Sequence, residues 1–172
     1  MNERRRRFEQ LVLPHLDAAY NLARWLAAQE ADDVVQDAML RAFRAFDGFR
    51  GGDAKPWLLA IVRNCHYTLA GQKAKRRSVP LPEDGEQEIA TDAPDPEVSA
   101  IGADRARKLN RAIAELPEEF REALVLREME DMSYREIADI TGAPIGTVMS
   151  RLARARALLR ERWSAATQEA AP

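Results

Sequence analysis

The 172-residue sequence is short of the residues that make covalent staples, metal centres and membrane anchors. Cysteine occurs once, at Cys65, and histidine twice, at His15 and His66. One thiol cannot close an internal disulfide, and with two imidazoles it does not complete the four-ligand set of a structural zinc site. The longest apolar run, residues 57–62, is far shorter than the roughly 20 residues a membrane-spanning helix needs. Arg4 to Arg7 are not followed by the apolar stretch of about 7 to 15 residues that marks a secretory signal. A cytoplasmic protein is the expectation, with no membrane insertion. No Ser-His-Asp set, phosphate loop or metal cluster is present, so the sequence predicts neither an enzyme nor a bound cofactor.

Basic residues are missing from one stretch altogether. Residues 1–77 hold 14 basic and 9 acidic side chains, residues 78–104 hold 0 and 8, and residues 105–172 hold 12 and 11. The middle stretch also carries Pro80, Pro82, Pro94 and Pro96 and little apolar bulk, too little to offset the entropy of ordering it. It reads as a flexible acidic linker. Set aside, it leaves two modules, 1–77 and 105–172, whose own balance is neutral to basic, so the acidic total does not exclude nucleic-acid partners.

Both modules read as all-α. Phe8, Leu11, Val12, His15, Leu16, Ala19, Leu22, Ala23 and Leu26 recur at three- and four-residue steps over residues 4–28, with Pro14 expected to kink or split the helix. A second helix starts at Asp32 and Asp33, which suit the positive end of its dipole and can cap its free N–H groups, and ends near Phe46. A third follows the glycine-rich turn at residues 47–52. Asp53 is its expected N-cap, Pro56 sits in its first turn, and Trp57, Leu58, Ile61, Val62, Cys65 and Leu69 form its inward stripe. Arg63, Asn64, Tyr67, Lys73, Lys75, Arg76 and Arg77 leave it an increasingly basic outer face. That face is either a solvated helix end or a surface that neutralises phosphates and stacks on bases.

The second module reads as four helices. Two support helices span about 104–116 and 118–130. Ser133 and Glu136 then have the spacing of a reciprocal capping box, which opens a short helix ending at Gly142, and a long helix runs from Ile145 to about Trp163. The pair has the outline of a helix-turn-helix, with Ala138 small at the approach, Gly142 free to turn left-handed and Val148 as anchor. Residues 145–163 carry five arginines against Glu161. In such a motif the start of the second helix enters the major groove, which places Met149, Ser150, Ala153 and Arg154 towards bases and nearby cations towards phosphates.

With these pieces in order the sequence resembles a bacterial extracytoplasmic-function sigma factor, a small two-module sigma subunit of RNA polymerase. The likeness is carried by DDVVQD at residues 32–37, KPWLLAIVRN at 55–64, LPEEFR at 116–121 and GTVMSRL at 146–152, and it covers nearly the whole chain. It implies that region 2 (residues 1–77) docks on the clamp helices of the polymerase beta-prime subunit through Asp33, Gln36, Asp37 and Arg41. The same region would open the minus-ten element with Phe49, Asn64, Tyr67, Lys73 and Arg76, Phe49 and Asn64 holding a flipped base. Region 4 (residues 105–172) would meet the beta flap and read the minus-thirty-five element through Thr147, Met149, Ser150, Arg151, Ala153 and Arg154. The linker, residues 78–104, would thread through the polymerase, and an anti-sigma factor would hold the chain inactive. Met149 and Ala153 stand where other members carry larger or charged base-contacting groups, so direct readout is expected to rest more on Ser150, Arg154 and the shape of the DNA. Two other readings stay open on the residues alone, an operator-binding dimer and an all-helical adaptor for acidic proteins.

Overall fold

The computed structural model describes residues 2–76 and 100–168, and all of its regular structure there is helical. The linker expected over residues 78–104 lies outside the described residues up to residue 99.

The first module holds α1 (Glu3–Leu11), α2 (Leu16–Ala27), α3 (Ala31–Ala45) and α4 (Ala54–Arg76). Pro14 splits the first periodic segment as expected: a tight 3-10 turn, Leu13–His15, separates α1 from α2. Along α1 and its C-cap the buried pair is Phe8 and Val12, one turn apart, while Leu11, also on the predicted inward stripe, is exposed. Asp32 and Asp33 fall in the first turn of α3, two and three positions past the cap; they complement the dipole, and Glu30 occupies the cap position without a side-chain capping bond. Asp53 does serve the start of α4, accepting from the Lys55 N–H at 2.9 Å. Gly51 and Gly52 take φ of +89° and +91° in the turn before it, a conformation that disfavours a Cβ.

Five aromatic rings fix that turn against the bundle. Phe8 meets Phe43 and Phe46 edge-on, with centroids 5.1 and 5.3 Å apart, and Phe49 lies 6.0 Å from Phe46 and 5.0 Å from Trp57. Offset and edge contacts of this kind add about 0.5–1.5 kcal/mol per pair beyond area burial.

The second module holds α5 (Ala100–Ala114), α6 (Glu118–Leu124), α7 (Tyr134–Thr141) and α8 (Ile145–Gln168). Helix α5 begins four residues earlier than its periodicity suggests. Its C-terminal end is closed by the Arg121 guanidinium, which donates to the Ala114 and Leu116 carbonyls at 2.6 and 3.3 Å. After α6 the chain widens into a π turn, Val125–Met129, closed by the Glu130 N–H on the Val125 carbonyl at 3.2 Å. The capping box forms in both directions: Ser133 Oγ accepts from the Glu136 N–H at 3.1 Å, and a Glu136 carboxylate oxygen accepts from the Ser133 N–H at 2.7 Å. Gly142 ends α7 at φ +69°. Val148, Leu152 and Ala155 of α8 are buried in the same core as Ile137, Ile140, Leu124 and Leu126, with α8 packed on α6 and α7.

The modules touch. Helix α4 packs on α2 and α3 and also meets α7, while α2 meets α6. This explains why Leu59, off the predicted inward stripe, is as fully buried as Leu58: α4 has packing partners around more of its circumference than an amphipathic surface helix has.

Candidate polymerase and nucleic-acid interfaces

The expected sites fall into three groups. On α3, Asp33, Gln36 and Arg41 are exposed on one face together with Leu40, and Asp37 is half-buried. Asp37 pairs with Arg41 one turn on, Oδ2 to Nη2 at 2.9 Å. Behind it the fully buried Cys65 thiol is pushed up to about 12, first by burial and then by the hydrogen bond and charge of Asp37. The face therefore presents charged and amide groups around one exposed leucine on a helix whose opposite side is core.

The minus-ten candidates on α4 do not form one open surface. Asn64, Lys73 and Arg76 are exposed, Lys73 in a surface ion pair with Glu30. Phe49 is half-buried against Phe46 and Trp57, and Trp57 precedes Asn64 by two helical turns on a similar side of α4. Tyr67 is half-buried beneath the Arg63 guanidinium, 4.5 Å from ring centroid to Cζ. Burial raises its phenol to about 12, with the Glu122 and Glu118 charges adding and Arg63 opposing.

Those two glutamates belong to the second module, and they reveal a site that the sequence reading did not single out. Glu122 is 1% exposed, and its carboxylate accepts from Arg63 Nε at 2.5 Å. His66 Nε2 lies 2.6 Å from Glu118, and Lys55 Nζ donates to the Glu130 carbonyl at 2.9 Å and lies 3.1 Å from its carboxylate. Asn21 Nδ2 completes the set, donating to Glu130 at 2.7 Å. Desolvation raises the Glu122 carboxyl above its ordinary value, with Arg63 pulling it back down. A signal was present: Glu118, Glu122 and Leu126 recur at four-residue steps, so the two carboxylates lie on a line that runs into the core.

On α8, Met149, Ser150, Ala153 and Arg154 are exposed along its first turns and Thr147 is half-buried. Arg151 points elsewhere, 3.6 Å from Glu119 on α6, and Arg156 and Arg162 pair with Glu128 and Glu115 at 2.6 and 3.3 Å. Arg154 has no ion-pair partner among the described residues. The five arginines that make the segment basic thus divide into three that tie α8 to its own module and two, Arg154 and Arg160, that face solvent.

Among the described residues, no group of three or more His, Cys, Asp or Glu could hold a metal ion. No helix there is long and apolar enough to cross a membrane.

Comparison with known proteins accounts for both modules. The family model of Sigma-70 region 2 matches residues 11–76, and that of Sigma-70 region 4 matches residues 106–159. The ECF RNA polymerase sigma-E factor of Haemophilus influenzae is 34% identical over 149 residues, covering 82% of this chain and 78% of that protein. The chain belongs to the extracytoplasmic-function sigma factor family. A second sigma factor of the family, SigE of Mycolicibacterium smegmatis, is 36% identical over 160 residues, which span 90% of this chain and 60% of that longer protein. Among solved structures, the sigma factor RpoE of Bartonella quintana, crystallised in complex with the anti-sigma factor NepR, superposes with a TM-score of 0.76 at 28% identity, covering 91% of this chain and 96% of that one. Membership of a sigma-factor family sets aside the operator-binding dimer and the adaptor.

Proposed function

We propose that this sigma factor binds core RNA polymerase through α3, opens the minus-ten element with region 2 and reads the minus-thirty-five element with region 4, the polymerase supplying all catalysis. The carrying observation is the pair of region matches in one chain, in an order that places a solvent-facing polar helix face in the first and an open helix-turn-helix in the second. The functional borders are residues 1–77 for region 2 and 105–172 for region 4, with 78–104 as the acidic tether. Work beside RNA polymerase and DNA implies a cytoplasmic protein.

The α3 face suits docking on another protein. Asp33, Gln36 and Arg41 offer directional polar contacts, and the exposed Leu40 adds an apolar centre that such a ring shields from water. Minus-ten DNA would be met by Asn64 and Arg76, which are open, and by Phe49, Tyr67 and Lys73 once their present contacts are released. Arg63, Tyr67 and Lys55 lie under the carboxylates of region 4, so gripping a phosphate chain on this part of α4 requires the two modules to part. An anti-sigma factor is the proposed controller, as NepR is the partner of the B. quintana relative in its crystal.

Run-off transcription with purified core polymerase and a random promoter library tests the assignment. Defined start sites should appear only with the chain, and Asp33→Arg should abolish both them and core binding at unchanged helicity, since Asp33 is exposed and outside the core. Wild-type chain that neither binds core nor yields start sites would overturn the reading.

A further inference from the structure

The first turns of α8 carry two parallel rows of exposed side chains. One row, Ile145, Met149 and Ala153, is apolar; the other, Ser150 and Arg154, is polar. Both rows advance in four-residue steps, so they run side by side along the same open side of the helix. Met149 is 50% exposed and Ile145 42%, while the module's core is filled by Val148, Leu152 and Ala155 from the other side. Folding therefore leaves two large apolar side chains in water next to a free cation, on the side of the helix that a helix-turn-helix turns towards DNA.

The major groove displays one kind of apolar group, the 5-methyl of thymine; its other edge groups are hydrogen-bond donors and acceptors. Met149 suits such a target, because its unbranched thioether is polarizable and adapts to irregular surfaces. Ala153 next to it is short enough to let the helix settle close to the base edges. Arg154 in the neighbouring row holds the register through a base or phosphate oxygen. We infer that the upstream promoter element of this chain is selected in part by thymine methyl groups, contacted by Met149 with Ile145 and Ala153 beside it. This rests on the reading of region 4 as the minus-thirty-five reader, and it names what the apolar row recognises there.

The test uses holoenzyme assembled from core polymerase and the full chain, on a promoter recovered from the random library. Each thymine of the upstream element, on either strand, is replaced in turn by deoxyuridine, which keeps the base pair and removes only the methyl. One or two replacements should weaken promoter binding about three- to fivefold, the worth of one buried methyl group. In Met149→Ala holoenzyme, which keeps its fold because Met149 is outside the core, the same replacements should cost nothing further. Neutral uridine at every position while promoter-dependent transcription continues overturns the inference and leaves the sigma assignment standing. An upstream element without thymine on either strand does the same. Absence of any promoter-dependent initiation removes the assignment and the inference together.

Discussion

Cys65 stands on the inward stripe that the sequence predicts for the third helix, and the fold keeps it there. It is fully buried and its thiol is raised to about 12. A thiol raised in this way holds little thiolate near neutral pH, and the thiolate is the nucleophile. A disulfide reagent such as DTNB should leave native protein unlabelled over a period in which guanidinium-unfolded protein reacts with one equivalent. Rapid labelling of the folded chain would show that the α3–α4 packing opens locally. The Asp37 carboxylate that helps raise this thiol also belongs to the proposed docking face, which is why the exposed Asp33 makes the cleaner substitution for the core-binding test.

Secondary elements were the most legible level, because their signals are local. Pro14 broke the first helix where a missing N–H and a ring must break it, Asp53 served the start of α4, and Ser133 with Glu136 closed both bonds of the capping box. Sequence periodicity failed where burial comes from distant parts of the chain. Leu59 lies off the α4 stripe and is buried because helices of both modules pack around α4. The π turn at Val125–Met129 has no local marker at all, and it adds the residue that lets Glu130 close on Val125. The capping box gives a measurable consequence at this scale. Ser133→Ala removes one of two reciprocal bonds at the start of α7 and should lower stability by about 1 kcal/mol. Thermal unfolding followed by circular dichroism should show a correspondingly lower midpoint, and Ser133→Thr, which keeps the hydroxyl, should recover most of it. An unaltered midpoint for the alanine variant would mean that α7 is held by Ile137 and Ile140 alone.

At the scale of the whole molecule, the candidate sites were legible as residues but not as surfaces. Sequence placed Arg63 and Tyr67 on an outer basic face of α4; in the folded chain Arg63 is bonded to Glu122, more than fifty residues away, and Tyr67 is half-buried beneath Arg63 within the field of Glu122 and Glu118. Complementary charges across a long sequence separation leave no periodic trace, so only the tertiary structure brings them together. The buried pair Arg63–Glu122 then sets how the modules respond to pH. Burial raises the Glu122 carboxyl in the docked arrangement, with Arg63, Glu118 and Arg151 as the charges around it, whereas separation of the modules returns it to water and its ordinary value near 4.5. The docked form therefore binds the Glu122 proton more tightly. Its contribution favours docking fully at pH below the ordinary carboxylate value and fades as pH rises through the raised one. Glu122→Gln keeps the shape and one acceptor for Arg63 but cannot titrate, so it should flatten this part of the pH dependence. Glu122→Ala leaves Arg63 without its acceptor and should shift the modules apart, by about 1–3 kcal/mol for loss of a hydrogen bond between charged groups. Energy transfer between dyes placed on α1 and on the C-terminal turns of α8, recorded from pH 5 to 8, separates the cases. The wild type should show more transfer at the acid end, the glutamine variant a flatter profile, and the alanine variant low transfer throughout. A profile identical in all three would mean that apolar packing of α4 on α7 holds the modules together without help from the ion pair.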